Sequence, residues 1–131
     1  MLSRDAATAQ IQLILASNDR TQRRALESDL RSSKFAYFFV NLAQRDTLLV
    51  SVKNQIEQNR GKIPIVLVLD FKFVTKDARA LLELARAASR SLAIECVVTN
   101  PPEDAQTREI LTSLGARLFD NDASSLELTL H

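Results

Sequence analysis

Asp70 is the carboxylate whose setting most suggests chemistry. It closes Ile63 to Leu69, a run that is apolar apart from Pro64. An unalternated run rich in branched side chains reads as a strand buried on both faces, and in a parallel sheet chemistry sits beyond the carboxyl ends of the strands. Two further runs, apolar apart from Gln12 and Glu95, close on polar residues: Ile11 to Ala16 on Ser17, Asn18 and Asp19, and Ala93 to Val98 on Thr99 and Asn100. Each has a plainer reading beside the functional one. Asp70 is a candidate site or a turn and cap residue, Asp19 a site carboxylate or a helix N-cap, Ser17 and Asn18 a cap and a turn, and Thr99 a hydroxyl that satisfies a strand end.

The elements that must hold these residues alternate along the chain. After a leader, residues 1–9, the pattern predicts a strand over Ile11 to Ala16 and a helix ending near Arg31, capped by Asp19 or Thr21. That helix turns Ala25, Leu26 and Leu30 inward and keeps Arg20, Arg23, Arg24 and Glu27 in water. A strand over Phe35 to Val40 follows, its aromatics mostly core with one exposed, then a helix over Thr47 to Gln58 ended by Asn59, Arg60 and Gly61. Beyond Asp70 come a loop, Phe71 to Lys76, and a helix, Asp77 to Ala88. Next are the strand Ala93 to Val98, a helix over Glu103 to Leu114 stopped by Gly115, and a strand over Ala116 to Phe119. The tail, 120–131, alternates Leu126, Leu128 and Leu130 as a strand would. Strand and helix taking turns with short loops call for a single α/β domain over 1–131, a doubly wound five-stranded parallel sheet with helices on both faces.

Composition removes several classes. Seventeen Lys and Arg against sixteen Asp and Glu leave a formal charge of +1, which offers no electrostatic grip on nucleic acid or anionic lipid. Two isolated glycines, Gly61 and Gly115, cannot write a phosphate-binding glycine loop. The one cysteine, Cys96, excludes an internal disulfide and reads as a buried small hydrophobe; His131, the one histidine, gives neither a triad nor a metal cluster. With no membrane-length apolar run and no secretory pattern, a cytoplasmic protein is expected.

Taken together, the chain resembles a response-regulator receiver domain, the phosphoacceptor module of two-component signalling, from Ile11 to about Asp122. Asp70 falls on the phosphoacceptor and Thr99 on the hydroxyl that contacts the phosphoryl group. Asp77 and Ala78 fall on the Asp-Gly entering the third helix, Gly115 and Ala116 on the Gly-Ala before the fifth strand, and Phe119 on the switch aromatic. The fold implied is flavodoxin-like.

The departures from the family pattern are concentrated at the site. Ser17 and Asn18 replace its acidic pair, with Asp19 on a third acidic position. Asp122 and Ala123 stand where it has Lys-Pro, Val74 where a proline follows the phosphoacceptor loop, and the tail makes the fifth helix short or atypical. Phosphoryl transfer to a carboxylate needs a dication held by oxygen ligands. Asp19, Asp70 and Asn18 would form only a weak magnesium site. The resemblance therefore implies a receiver-like signalling module, not an enzyme, in which magnesium-dependent phosphorylation is weak or lost. Its partner would be another protein or a second copy, met through the fourth helix, fifth strand and tail. The alternative is a phosphorylatable receiver that uses Asp70 with an atypical pocket, served by a histidine kinase. Another flavodoxin-like enzyme is the weakest reading, since no histidine base or phosphate loop is present.

Overall fold

The computed structural model describes residues 10–31, 36–59, 63–90 and 92–119. The leader, the tail with Asp122, Ala123 and His131, and Phe35 and Gly61 lie outside the described residues. Five strands form one parallel sheet in the order β2-β1-β3-β4-β5. They are β1 (Gln10–Ala16), β2 (Ala36–Leu42), β3 (Ile65–Asp70), β4 (Ile94–Thr99) and β5 (Ala116–Phe119). The helices are α1 (Arg20–Arg31), α2 (Leu48–Asn59), a single turn α3 (Phe71–Val74), α4 (Ala78–Ala88) and α5 (Ala105–Ser113). This is the doubly wound arrangement expected from the alternation, in the flavodoxin-like strand order that the resemblance implies.

Why β3 is central follows from its side chains. All six of its residues are buried, and it pairs with β1 on one side and β4 on the other, so neither face nor edge meets water. Alternation then sorts the core into two layers. Ile14, Ala16, Leu67, Leu69 and Val98 face α2 and α4, which contribute Leu48, Val52, Leu81, Leu82 and Ala85. Leu13, Leu15, Val66, Val68 and Val97 face the other way and gather Leu26 of α1.

Several boundaries differ from the sequence reading, each for a local reason. β2 continues through Asn41 and Leu42, because these pair with Leu15 and Ala16 of β1. Phe71 to Lys76 is not a loop: the Asp70 carboxylate accepts from Lys72 N and caps α3, and a 3-10 turn over Thr75–Asp77 leads into α4. α5 starts at Ala105 instead of Glu103, since Asp104 is its N-cap and accepts from Thr107 N at 2.9 Å. Gly115, at φ +95°, supplies the left-handed residue that ends α5. In β2, Phe38 is 54% exposed, whereas Phe39 packs on the α1-side layer. Glu95, which interrupts the apolar run of β4, pairs with Arg117 of β5 at 3.0 Å.

Candidate functional site

The site is the top of the α1-side layer. Leu13 and Leu15 are followed at the same period by Ser17, Val66 and Val68 by Asp70, and Val97 by Thr99, so three polar side chains continue three apolar columns on one face. β1, β3 and β4 are adjacent, and Asp70 is the register partner of Thr99. The strand exits singled out in the sequence thus meet at one place. Ser17, Asp70 and Thr99 are all buried, Asp70 with 3% of its surface exposed.

A buried carboxylate is tolerable only if donors surround it. Asp70 has three. Lys72 N and Asn100 Nδ2 donate to Oδ1 at 3.2 and 2.9 Å, and Ser17 Oγ donates to Oδ2 at 3.1 Å. Asn100 reaches it from a left-handed backbone, φ +49°, a conformation asparagine adopts more readily than most residues.

Gln22, half-buried in the first turn of α1, spans the cleft. Its amide lies 2.7 Å from Ser17 Oγ through the atom placed as Oε1, and 2.9 Å from Thr99 Oγ1 through the atom placed as Nε2. Ser17 has one hydroxyl proton and two acceptors within reach, Gln22 and Asp70. Exchanging the amide oxygen and nitrogen resolves the competition. Nε2 then donates to Ser17, Ser17 donates to Asp70, and Thr99 donates to Gln22 Oε1. An ionised carboxylate only accepts, so ionised Asp70 selects this orientation. Ser17 Oγ is saturated, since Asp19 N also donates to it at 3.1 Å.

The remaining candidates lie at the rim or beneath. Asp19 is the N-cap of α1, its Oδ1 accepting from Thr21 N at 2.9 Å and Gln22 N at 3.2 Å. Asn18 is exposed. Phe119 is half-buried in the α1-side core and is the register partner of Thr99. Asn41 Nδ2 donates to the carbonyls of Leu15 and Ser17 at 3.1 and 3.2 Å, which fixes the exit of β1 from its β2 side. Cys96 lies away from the cleft, in the α2-side core, where burial and then the nearby Glu95 carboxylate push its thiol up to about 12.

Sequence reasoning missed Gln22 and gave Asn100 no role. Asp19-x-x-Gln22 matches a capping box, in which the glutamine would turn back to the cap N–H; its amide crosses to Thr99 instead.

No protein-family model matches the chain, and no curated protein sequence matches it significantly. Solved structures do match. The receiver domain of the Saccharomyces cerevisiae response regulator Ssk1, solved with the histidine phosphotransfer protein Ypd1, aligns with a TM-score of 0.62 at 12% identity, covering 93% of this chain and 87% of that one. A putative pilus assembly-related protein of Burkholderia pseudomallei aligns at 0.56 and 16% identity, over 92% and 86% of the two chains. The monomethylamine corrinoid protein of Methanosarcina barkeri aligns at 0.60 and 15% identity, over 99% of this chain but 62% of that one. At these identities the likeness is one of fold, and a corrinoid protein beside a receiver shows how widely this fold is used.

Proposed function

We propose that the protein is a receiver-like regulatory module that acts through protein contacts, with magnesium-dependent phosphorylation weak or lost. The observation that carries this reading is the Ser17–Gln22–Thr99 bridge beside Asp70. A magnesium ion takes oxygen lone pairs in near-octahedral array, usually from carboxylates and water. The side chains around Asp70 present hydrogen-bond donors instead, and among the described residues no group of three His, Cys, Asp or Glu stands together as a metal site. The donor set does not suit the ion.

The donors around Asp70 also oppose its use as a nucleophile. Each hydrogen bond draws charge from the oxygen that would attack: Oδ2 accepts from Ser17 Oγ, and Oδ1 accepts from two N–H groups. What the arrangement does well is hold three strand exits in one state. A module of this kind offers partners a constant surface, for which α5, β5 and the tail are the candidates, with Ile110 exposed on α5. The Burkholderia and yeast neighbours, one named for pilus assembly and the other solved against a phosphotransfer protein, support a role in protein assemblies.

The second reading, a phosphorylatable receiver served by a histidine kinase, draws on the adjacency of Asp70 and Thr99 in register. Intact mass after incubation with a small-molecule phosphodonor and magnesium separates the two. The expected result is no adduct on folded wild type; a phosphoryl adduct on wild type that Asp70→Asn abolishes would establish the second reading.

A further inference from the structure

We propose that the α2–α4 face is a homodimer interface of this protein. α2 packs beside α4, and the two leave between them a shallow groove of about 410 Å³, lined by Leu49, Val50, Lys53, Ala80, Glu83 and Leu84. Two of the four large hydrophobic side chains exposed among the described residues are here, Val50 at 62% and Leu49 at 39%. Apolar groups gathered in one groove with charged rims are the usual form of an interaction surface.

The charges say which partner fits. Lys53 stands on the α2 wall and Glu83 on the α4 wall. Both helices follow strands of a parallel sheet and so run the same way. A two-fold axis lying along the groove therefore sets α2 of one copy on α4 of the other, and brings Lys53 against the partner subunit's Glu83 on both sides of the axis. The patch is self-complementary, as an isologous dimer requires. A formal charge of +1 adds almost no repulsion between copies. Arg79, bonded to Glu83 at 3.5 Å on the exposed side of α4, leaves the carboxylate at the rim, where water still reaches it. This face is opposite α1 and Asp70, so dimerisation does not depend on whether Asp70 is phosphorylated.

Sedimentation equilibrium over a concentration series, with circular dichroism to verify folding, tests the proposal. Wild type is expected to dimerise reversibly and Val50→Glu to be monomeric. Lys53→Glu and Glu83→Lys should each weaken the dimer about tenfold, since both turn two rim pairs into like charges. The double swap, Lys53→Glu with Glu83→Lys, should restore it. A wild type that stays monomeric throughout, a dimer indifferent to Val50→Glu, or a double swap as weak as the single variants would each overturn the assignment. So would a monomer that uses Val50 to bind a different protein.

Discussion

Side-chain hydrogen bonds tie β1 to a helix at both ends of the sheet, and the two networks differ in kind. At the amino end Gln12 donates to Gln55 at 2.8 Å and accepts from Asn59 at 2.7 Å, while Asn59 accepts from Ile63 N at 3.3 Å. Each of these amides is neutral, and the chain from Ile63 N through Asn59 and Gln12 ends on Gln55 Oε1, an uncharged acceptor. At the carboxyl end the bonds converge on a carboxylate. Thr99, Gln22 and Ser17 form a chain that ends on Asp70, and Asn100 and Lys72 N point at the same carboxylate. A chain of neutral amides has no charge to change. A network that converges on one charged group responds to any change of charge there, and that makes the carboxyl end the candidate site.

Breaking the amino-end network should have the largest effect on stability and none on chemistry. Asn59→Leu strands Gln12 Oε1 and the Ile63 N–H in a mostly buried setting, and is expected to lower the unfolding free energy by about 2–3 kcal/mol in urea titrations. Phosphodonor experiments on the folded variant should match wild type.

The converse change sharpens the comparison. Ser17→Asp replaces a donor to Asp70 by a second carboxylate, at a contact that is 3.1 Å in the wild type. With chelator present the variant should lose about 2 kcal/mol, as like charges crowd one site. Magnesium at ten times its Kd should then return about 1.4 kcal/mol, seen as a rise in Tm that wild type does not show. A variant indifferent to magnesium would mean that Gln22, and not the missing acid, decides whether an ion is held.

The smallest effect belongs to a residue in neither network. Thr107 donates to Asp104 first through its hydroxyl and then through its backbone N–H, which holds this carboxyl below the usual 3.8. Stability gained from a depressed carboxyl is fully present above the unfolded value and is lost as pH falls through the folded one. Thermal unfolding of Asp104→Ala should therefore lie slightly below wild type at neutral pH, and the gap should close as pH drops below 3.8. A gap that persists in acid would assign the effect to helix propensity instead of the cap.

Much of this was legible in the chain, because burial writes itself into local pattern. The central strand showed as an apolar run without alternation, the end of α5 as Gly115, and the site as polar residues at the exits of three strands. Strand order was not legible, since it depends on which runs meet across loops of unrelated length. Gln22 was hidden for a related reason. A glutamine in the first turn of a helix has the same local pattern whether it caps its own helix or reaches Thr99, and the choice is made by a strand 77 residues away. Asp70 as the cap of α3 was foreseen only as one of two readings, and the short turn it starts lacks the length for a helical period to show.

The position of β3 also sets when the site can exist during synthesis. Ser17 meets Asp70 across 53 residues, and Gln22 meets Thr99 across 77. A nascent chain that has just released β3 from the ribosome can pair β1 with β2 and β3, but Gln22 has only the Ser17 hydroxyl to bond until β4 brings Thr99. Contacts of such separation slow folding, so the cleft should be completed late. The carboxylate of Asp70 then gains its last donor, Asn100, only when β4 is in place.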